Sequence, residues 1–128
     1  MARKLGRLLR RQDFLRVAGL RRKFVAPGLI LQVAPVDSTD AADTRRVGLT
    51  ASKKVGGAVV RNRAKRRLRE AARTVMTTHA AEGLDYVIIA REATARRTFA
   101  LLLGDLEAGL RRLKAWRDSE TNGPQPCP

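Results

Sequence analysis

Val59-Val60-Arg61-Asn62-Arg63-Ala64-Lys65-Arg66-Arg67-Leu68-Arg69-Glu70 is the stretch on which the reading of this chain turns. Seven of the nine residues from Arg61 to Arg69 are cationic or amide-bearing, yet the apolar residues around them keep a helical period. Turning about 100° per residue from Ala64, the positions Leu68, Ala71, Ala72, Val75, Met76 and His79 fall on one stripe. Asn62, Arg66, Arg69 and Arg73 fall on another, with Arg61 and Lys65 at the border. Such a helix gives one flank to a core and offers the other to a polyanion. Like charges at i,i+4 destabilise a helix that has no counter-anion. A planar guanidinium fork bonds two phosphate oxygens, which makes RNA or DNA the first partner to consider. Arg63 and Arg67 lie off the main row, and one of them is expected to be merely solvated.

Outward from this helix, Gly56-Gly57 suits a tight turn before it, and Gly83 offers a stop after it. The glycine pair lacks P-loop spacing, so no nucleotide-hydrolysing site is expected. Arg45 to Ala51 alternates Val47, Leu49 and Ala51 against Arg46, Gly48 and Thr50, the pattern of a half-buried strand. Leu84-Asp-Tyr-Val-Ile-Ile-Ala90 is the clearest strand, rich in β-branched residues. Leu29 to Val33 is a further β-type run, stopped near Pro35, and with 45–51 it reads as a β-hairpin across the polar loop 36–44. A short helix fits Arg10 to Ala18, with Gly19 as its left-handed terminator, behind a basic, weakly structured arm over 1–9. After a polar turn at 92–97, a last helix from Thr98 to Trp116 carries the seam Phe99, Leu102, Leu103, Leu106, Leu110 and Leu113. The fold class is therefore α+β, a small sandwich of a sheet with helices. A strand–helix–strand unit over 45–90 ordinarily crosses over right-handedly. One domain is expected over 1–117, followed by a disordered polar tail over 118–128.

The charge singles out partners. In 128 residues, 27 Lys and Arg face 12 Asp and Glu, a formal net charge of +15. A field of that strength concentrates polyanions and speeds their association. Residues 1–23 and 53–73 hold nine cations each against one acid each, Asp13 and Glu70, so two distant segments are expected to converge on one polyanion. No run of 18 apolar residues and no bulky amphipathic helix points to a membrane. The N-terminal stretch has no apolar segment of the secretory kind. The single cysteine, Cys127, can form neither an intramolecular disulfide nor a metal cluster. The cytoplasm is the expected compartment, and no small-molecule substrate is indicated.

The run from Arg46 to Glu70 (Arg-Val-Gly-Leu-Thr-Ala-Ser-Lys-Lys-Val-Gly-Gly-Ala-Val-Val-Arg-Asn-Arg-Ala-Lys-Arg-Arg-Leu-Arg-Glu) lies between Asp13-Phe14 and Asp85-Tyr-Val-Ile-Ile-Ala-Arg91. In this order and spacing the three resemble the bacterial ribonuclease P protein component over roughly residues 5–115. The resemblance implies a two-layer α/β sandwich with a mixed sheet, shared with a domain of a ribosomal protein. It also implies a left-handed βαβ crossover, against the general rule. It implies that the chain is a subunit of a ribonucleoprotein whose catalytic RNA, with bound Mg²⁺, removes the 5′ leader from precursor tRNA. The RNA-binding group would be Lys53, Lys54, Arg61, Asn62, Arg63, Lys65, Arg66, Arg69 and Arg73. A leader-binding cleft would involve Phe14, Gln32, Arg46 and Ser52. The chain departs from the family pattern at Ala18 and near Gln32, where aromatic residues are common, leaving Phe14 as a stacking platform or a core residue.

A nuclease built from protein side chains needs clustered carboxylates for metal ions or a histidine acid/base pair. Here there is one histidine, His79, on the apolar face of a helix, where a structural role is expected, and the carboxylates are scattered. No catalytic or metal-ligating residue is assigned to the chain itself. The other reading that the residues leave open is a structural, ribosomal-type RNA-binding protein without a processing role.

Overall fold

The computed structural model of the chain describes residues 5–36 and 45–117. Most of the polar loop expected over 36–44, the tail 118–128 with Cys127, and the start of the basic arm lie outside the described residues. The elements run β1 (Gly6–Arg7), α1 (Arg11–Gly19), β2 (Lys23–Val25), β3 (Leu29–Pro35), β4 (Arg45–Thr50), α2 (Ala58–His79), β5 (Leu84–Ala90) and α3 (Phe99–Arg112). The five strands form one mixed sheet in the order β1-β4-β5-β3-β2. β4 pairs in parallel with β5 and with β1, whereas β3 runs antiparallel to both β5 and β2.

β5 takes the centre because it is the strand that can be buried on both faces, with Asp85, Tyr86, Val87, Ile88 and Ala90 all inaccessible. That corrects the expected hairpin: β3 and β4 are not neighbours, since β5 lies between them. The hairpin in this fold joins β3 to the three-residue β2, with Phe24 opposite Leu31. The arm also differs from expectation. Gly6 and Arg7 pair with Arg46 and Val47, and Leu8 is buried. Gly19 ends inside α1, and the left-handed backbone falls instead on Arg21, at φ 58°.

The main core lies between the sheet and two helices. Leu29, Leu31 and Val33 of β3 and Tyr86, Ile88 and Ala90 of β5 meet Leu68, Val75 and Met76 of α2 and Leu102, Leu106 and Leu110 of α3. The stripe expected on α2 is thus its buried face, with His79 half-buried at its end. A large side chain in such a cluster contributes about 2–5 kcal/mol when compared with alanine. The seam of α3 starts later than its sequence pattern suggests. Phe99, the first residue of α3, is 36% exposed. α1 covers part of the opposite sheet face, where Val17 joins Leu8, Ala34 and Val87. The two-layer sandwich of sheet with α2 and α3 therefore carries α1 as a partial third layer.

Candidate nucleic-acid interface

The approach to α2 is built residue by residue. The Ser52 hydroxyl accepts a bond from the Lys54 N–H at 3.3 Å and starts a single 3₁₀ turn, Lys53–Val55. Gly56 follows at φ 147°, in a region that favours glycine, and an added Cβ would meet Val60 at 3.0 Å. Gly57 then caps α2 without a side-chain bond, leaving the first backbone N–H groups of the helix open. Along the outer flank Asn62, Arg63, Arg66, Arg69 and Arg73 are exposed, while Arg61 and Lys65 are half-buried at the shoulder. Lys53 and Lys54 stand exposed on the preceding turn. Among the described residues, only Arg73 of this whole group has a carboxylate partner, Glu70 Oε1 at 2.6 Å. Lys53, Lys54, Arg63, Arg66 and Arg69 present their charge to solvent, and Asn62 adds a neutral amide among them.

Arg67 is a different kind of residue. It is neither solvated nor part of the row: its guanidinium reaches across to the turn at 92–97. Nη1 donates to the carbonyls of Thr94 (3.0 Å) and Ala95 (2.8 Å), and Nη2 to that of Arg97. Arg45 is fully buried and likewise structural, with Nη1 donating to the Met76 and Thr77 carbonyls at 2.8 and 2.7 Å. It thereby satisfies the C-terminal carbonyls of α2 and meets the negative end of the helix dipole. Sequence reading missed both roles, since each depends on partners 27 to 32 residues away. His79 is structural as expected. Its ring stacks on Trp116 at 4.1 Å and its Nδ1 lies 2.9 Å from the Arg117 carbonyl, while Arg111 covers Trp116 at 3.8 Å.

The other sheet face holds the residues expected to touch a leader. Gly48, Val87 and Gln32 stand side by side across β4, β5 and β3. The Phe14 ring lies directly on Gly48, where a Cβ would come within 2.5 Å of its Cε1 and Cζ. Phe14 is half-buried, so it is both packed and presented. Arg46 is held by Asp85, through Nε–Oδ1 at 2.8 Å and Nη2–Oδ2 at 2.7 Å. Arg16 pairs with the same carboxylate and donates to the Pro35 carbonyl at 2.7 Å. Arg16 also lies 3.7 Å from Asp13, so the two guanidinium groups are shared between two buried carboxylates. Ser52 is exposed but spends its oxygen on the turn before α2. A cleft of about 680 Å³ runs round the β1 edge, joining Phe14 to Lys65, Arg69 and Arg73 of α2. Gln32, Arg46 and Ser52 do not line it.

The carboxylates are not arranged for metal. Among the described residues no three His, Cys, Asp or Glu side chains converge. Asp13, Asp85 and Asp105, the buried acids among the described residues, all lie against arginines. No helix among the described residues is long and apolar enough to cross a membrane.

Comparison with known proteins bears directly on this arrangement. Residues 2–114 match the family model for ribonuclease P. The chain belongs to the ribonuclease P protein family. It is 60% identical over 116 residues to the ribonuclease P protein component of Paramagnetospirillum magneticum, covering 90% of this chain and 87% of that one. It is 48% identical over 112 residues to the same component of Caulobacter vibrioides, covering 88% of this chain and 73% of that protein. The solved structure of the Staphylococcus aureus RNase P protein superposes with a TM-score of 0.72 at 26% identity, over 89% of this chain and all of the other. That from Thermotoga maritima superposes at 0.66 and 27% identity, over 85% and 96%. The chain is thus a protein component of ribonuclease P, the tRNA-processing ribonucleoprotein, and its partner is the RNA subunit of that enzyme. The structural ribosomal-type role does not fit these relatives.

Proposed function

We propose that the chain docks on the catalytic RNA through the exposed flank of α2 and guides the 5′ leader of precursor tRNA along the Phe14 side of the sheet. The observation that carries this reading is the row Arg61, Asn62, Lys65, Arg66 and Arg69, which has no carboxylate partner among the described residues. Lys53, Lys54, Arg63 and Arg73 extend it at either end and along its border. In water such a row stabilises nothing by itself; against a phosphate backbone it releases condensed counterions. The leader passes over Phe14, where a base stacks on the exposed part of the ring, with Gln32 and the Arg46–Asp85 pair beyond it. Ser52 fixes the turn that aims Lys53 and Lys54.

The chemistry belongs to the RNA subunit, whose phosphates would hold the Mg²⁺ ions that activate water for phosphodiester cleavage. The protein's own part is to screen phosphate repulsion, so that the folded RNA holds those ions at lower free concentration, and to tether the substrate. The complex works in the cytoplasm. Cleavage of precursor tRNA by the cognate RNA, measured with and without the protein across a Mg²⁺ series, tests this reading. The protein is expected to lower the Mg²⁺ concentration needed for half-maximal rate, and to favour precursor over leaderless tRNA. Equal Mg²⁺ requirements with and without it would refute the reading.

A further inference from the structure

A second cleft, of about 660 Å³, lies on the other shoulder of α2, between its first turns and the turn at 92–97. Its walls include Val55, Val60 and Ala95, and four guanidinium groups (Arg63, Arg67, Arg96 and Arg97) face one carboxylate, Glu92. Two of the four are committed internally. Arg67 holds the carbonyls of the turn, and Arg97 is bidentate on Asp105, at 2.7 and 3.1 Å. Arg63 and Arg96 are exposed, and their guanidinium groups have no hydrogen-bond or carboxylate partner among the described residues. Even with Asp105 counted, the cleft keeps a net charge of +2, from four arginines against two acids.

We propose that this cleft binds one unpaired nucleotide of the catalytic RNA, with its base over Val60 and Ala95 and its phosphate between Arg63 and Arg96. The inference rests on the reading of α2 as the RNA-docking helix. The apolar floor argues for a base, since a phosphate alone has no use for Val55, Val60 and Ala95. The volume falls in the range of about 300–1,000 Å³ that encloses compact ligands, which accommodates a single nucleotide and excludes a stem. A nucleotide uses both features at once, a flat base on the apolar floor and a phosphate on the positive rim, whereas an acidic protein segment would use the rim alone. The open N–H groups at the start of α2 add favourable potential there. The position selects the catalytic RNA: the cleft is on the α2–α3 side of the sheet, across from Phe14.

Binding to RNase P RNA without substrate, measured over a salt series, tests this. Arg96→Ala is expected to lower the salt slope by about 0.7, the single-strand value for one phosphate. Between 50 and 200 mM salt, the loss in affinity is then about 2.6-fold smaller than for the parent protein. Val60→Asp, in the first turn of α2 where a carboxylate suits the helix dipole, should weaken binding several-fold while leaving the thermal midpoint unchanged. A photo-crosslinker on Arg96→Cys, with Cys127 replaced by serine, should mark one unpaired position of the RNA. If Arg96→Ala and Val60→Asp both bind like the parent while Arg66→Ala loses slope, the cleft is no RNA site and the docking helix stands. Silence of Arg66→Ala as well would remove the docking helix and this inference together. A crosslink that falls on the precursor leader, or on a protein, would also overturn the assignment.

Discussion

Replacing Arg66 and Arg69 by alanine isolates the electrostatic part of RNA docking, because neither side chain holds anything within the described fold. Arginine and alanine are both good helix formers, so α2 should keep its stability. Each lost phosphate contact on duplex nucleic acid lowers the slope of log K against log salt by about 0.9. The double variant should therefore lose about 1.8 of slope. Over a fourfold rise from 50 to 200 mM, its affinity then falls about 12-fold less than that of the parent. Arg73 supplies an internal comparison. It lies on the same flank but is bound to Glu70 at 2.6 Å, so Arg73→Ala should change the slope by less. Glu70→Gln should have the opposite sign, raising the slope toward one further contact by releasing Arg73. Filter binding to RNase P RNA at five or six salt concentrations measures these slopes, with Arg66→Ala and Arg69→Ala also taken singly. Slopes for Arg66→Ala and Arg69→Ala that match the parent would refute the argument that the uncompensated row meets phosphate.

Three further outcomes concern the scaffold. Arg67→Ala removes three bonds to the carbonyls of Thr94, Ala95 and Arg97 and should cost about 2–3 kcal/mol in denaturant unfolding, while Arg63→Ala, exposed nearby, should cost almost nothing. Gly48→Ala places a methyl group 2.5 Å from the Phe14 ring; it should destabilise by about 1–3 kcal/mol and reduce the preference for precursor over leaderless tRNA, which competition binding reads. Tyr86 donates to the Ala81 carbonyl at 2.6 Å, and burial pushes its phenol above the usual value of about 10. The unfolded chain ionises at that value while the folded one stays neutral. The stability is thus fully present below pH 10 and is lost as the pH rises above it; Tyr86→Phe should flatten that part of the unfolding-midpoint curve.

α2 was legible in the sequence because its two faces obey one period: six buried residues from Ala64 to Met76 and the outer cations are set by the same 3.6-residue turn. β5 was legible because it is apolar on both faces. The errors came where information is non-local. β1 has two residues and β2 three, too few to show any alternation. The pairing of β3 and β4 with β5, rather than with each other, depends on which strand gains most from being covered on both sides, and adjacency in sequence misleads there. Arg45, Arg46 and Arg67 look alike in a basic sequence. Burial and partners separate them: one holds helix carbonyls, one a carboxylate and one a turn. The exposed arginines of α2 can be recognised by helical phase alone, whereas the structural ones cannot.

That separation has an electrostatic logic that extends over the whole chain. Among the described residues, each buried acid sits against an arginine that belongs to the scaffold: Asp85 against Arg16 and Arg46, Asp105 against Arg97, Asp13 against Arg16. Burying a charge without a partner costs several kcal/mol, so these pairs form as a condition of folding. On α2 the only acid is Glu70, so the row there gets almost no internal compensation. A protein with 27 cations and 12 anions has too few acids to neutralise everything, and this chain uses its buried ones where desolvation demands it. A large share of the excess charge is thereby left on the outer flank of a helix whose opposite flank is locked into the core. Among the described residues it meets no counter-anion except Glu70, and this is why the proposed docking on RNA predicts a salt slope set by these side chains.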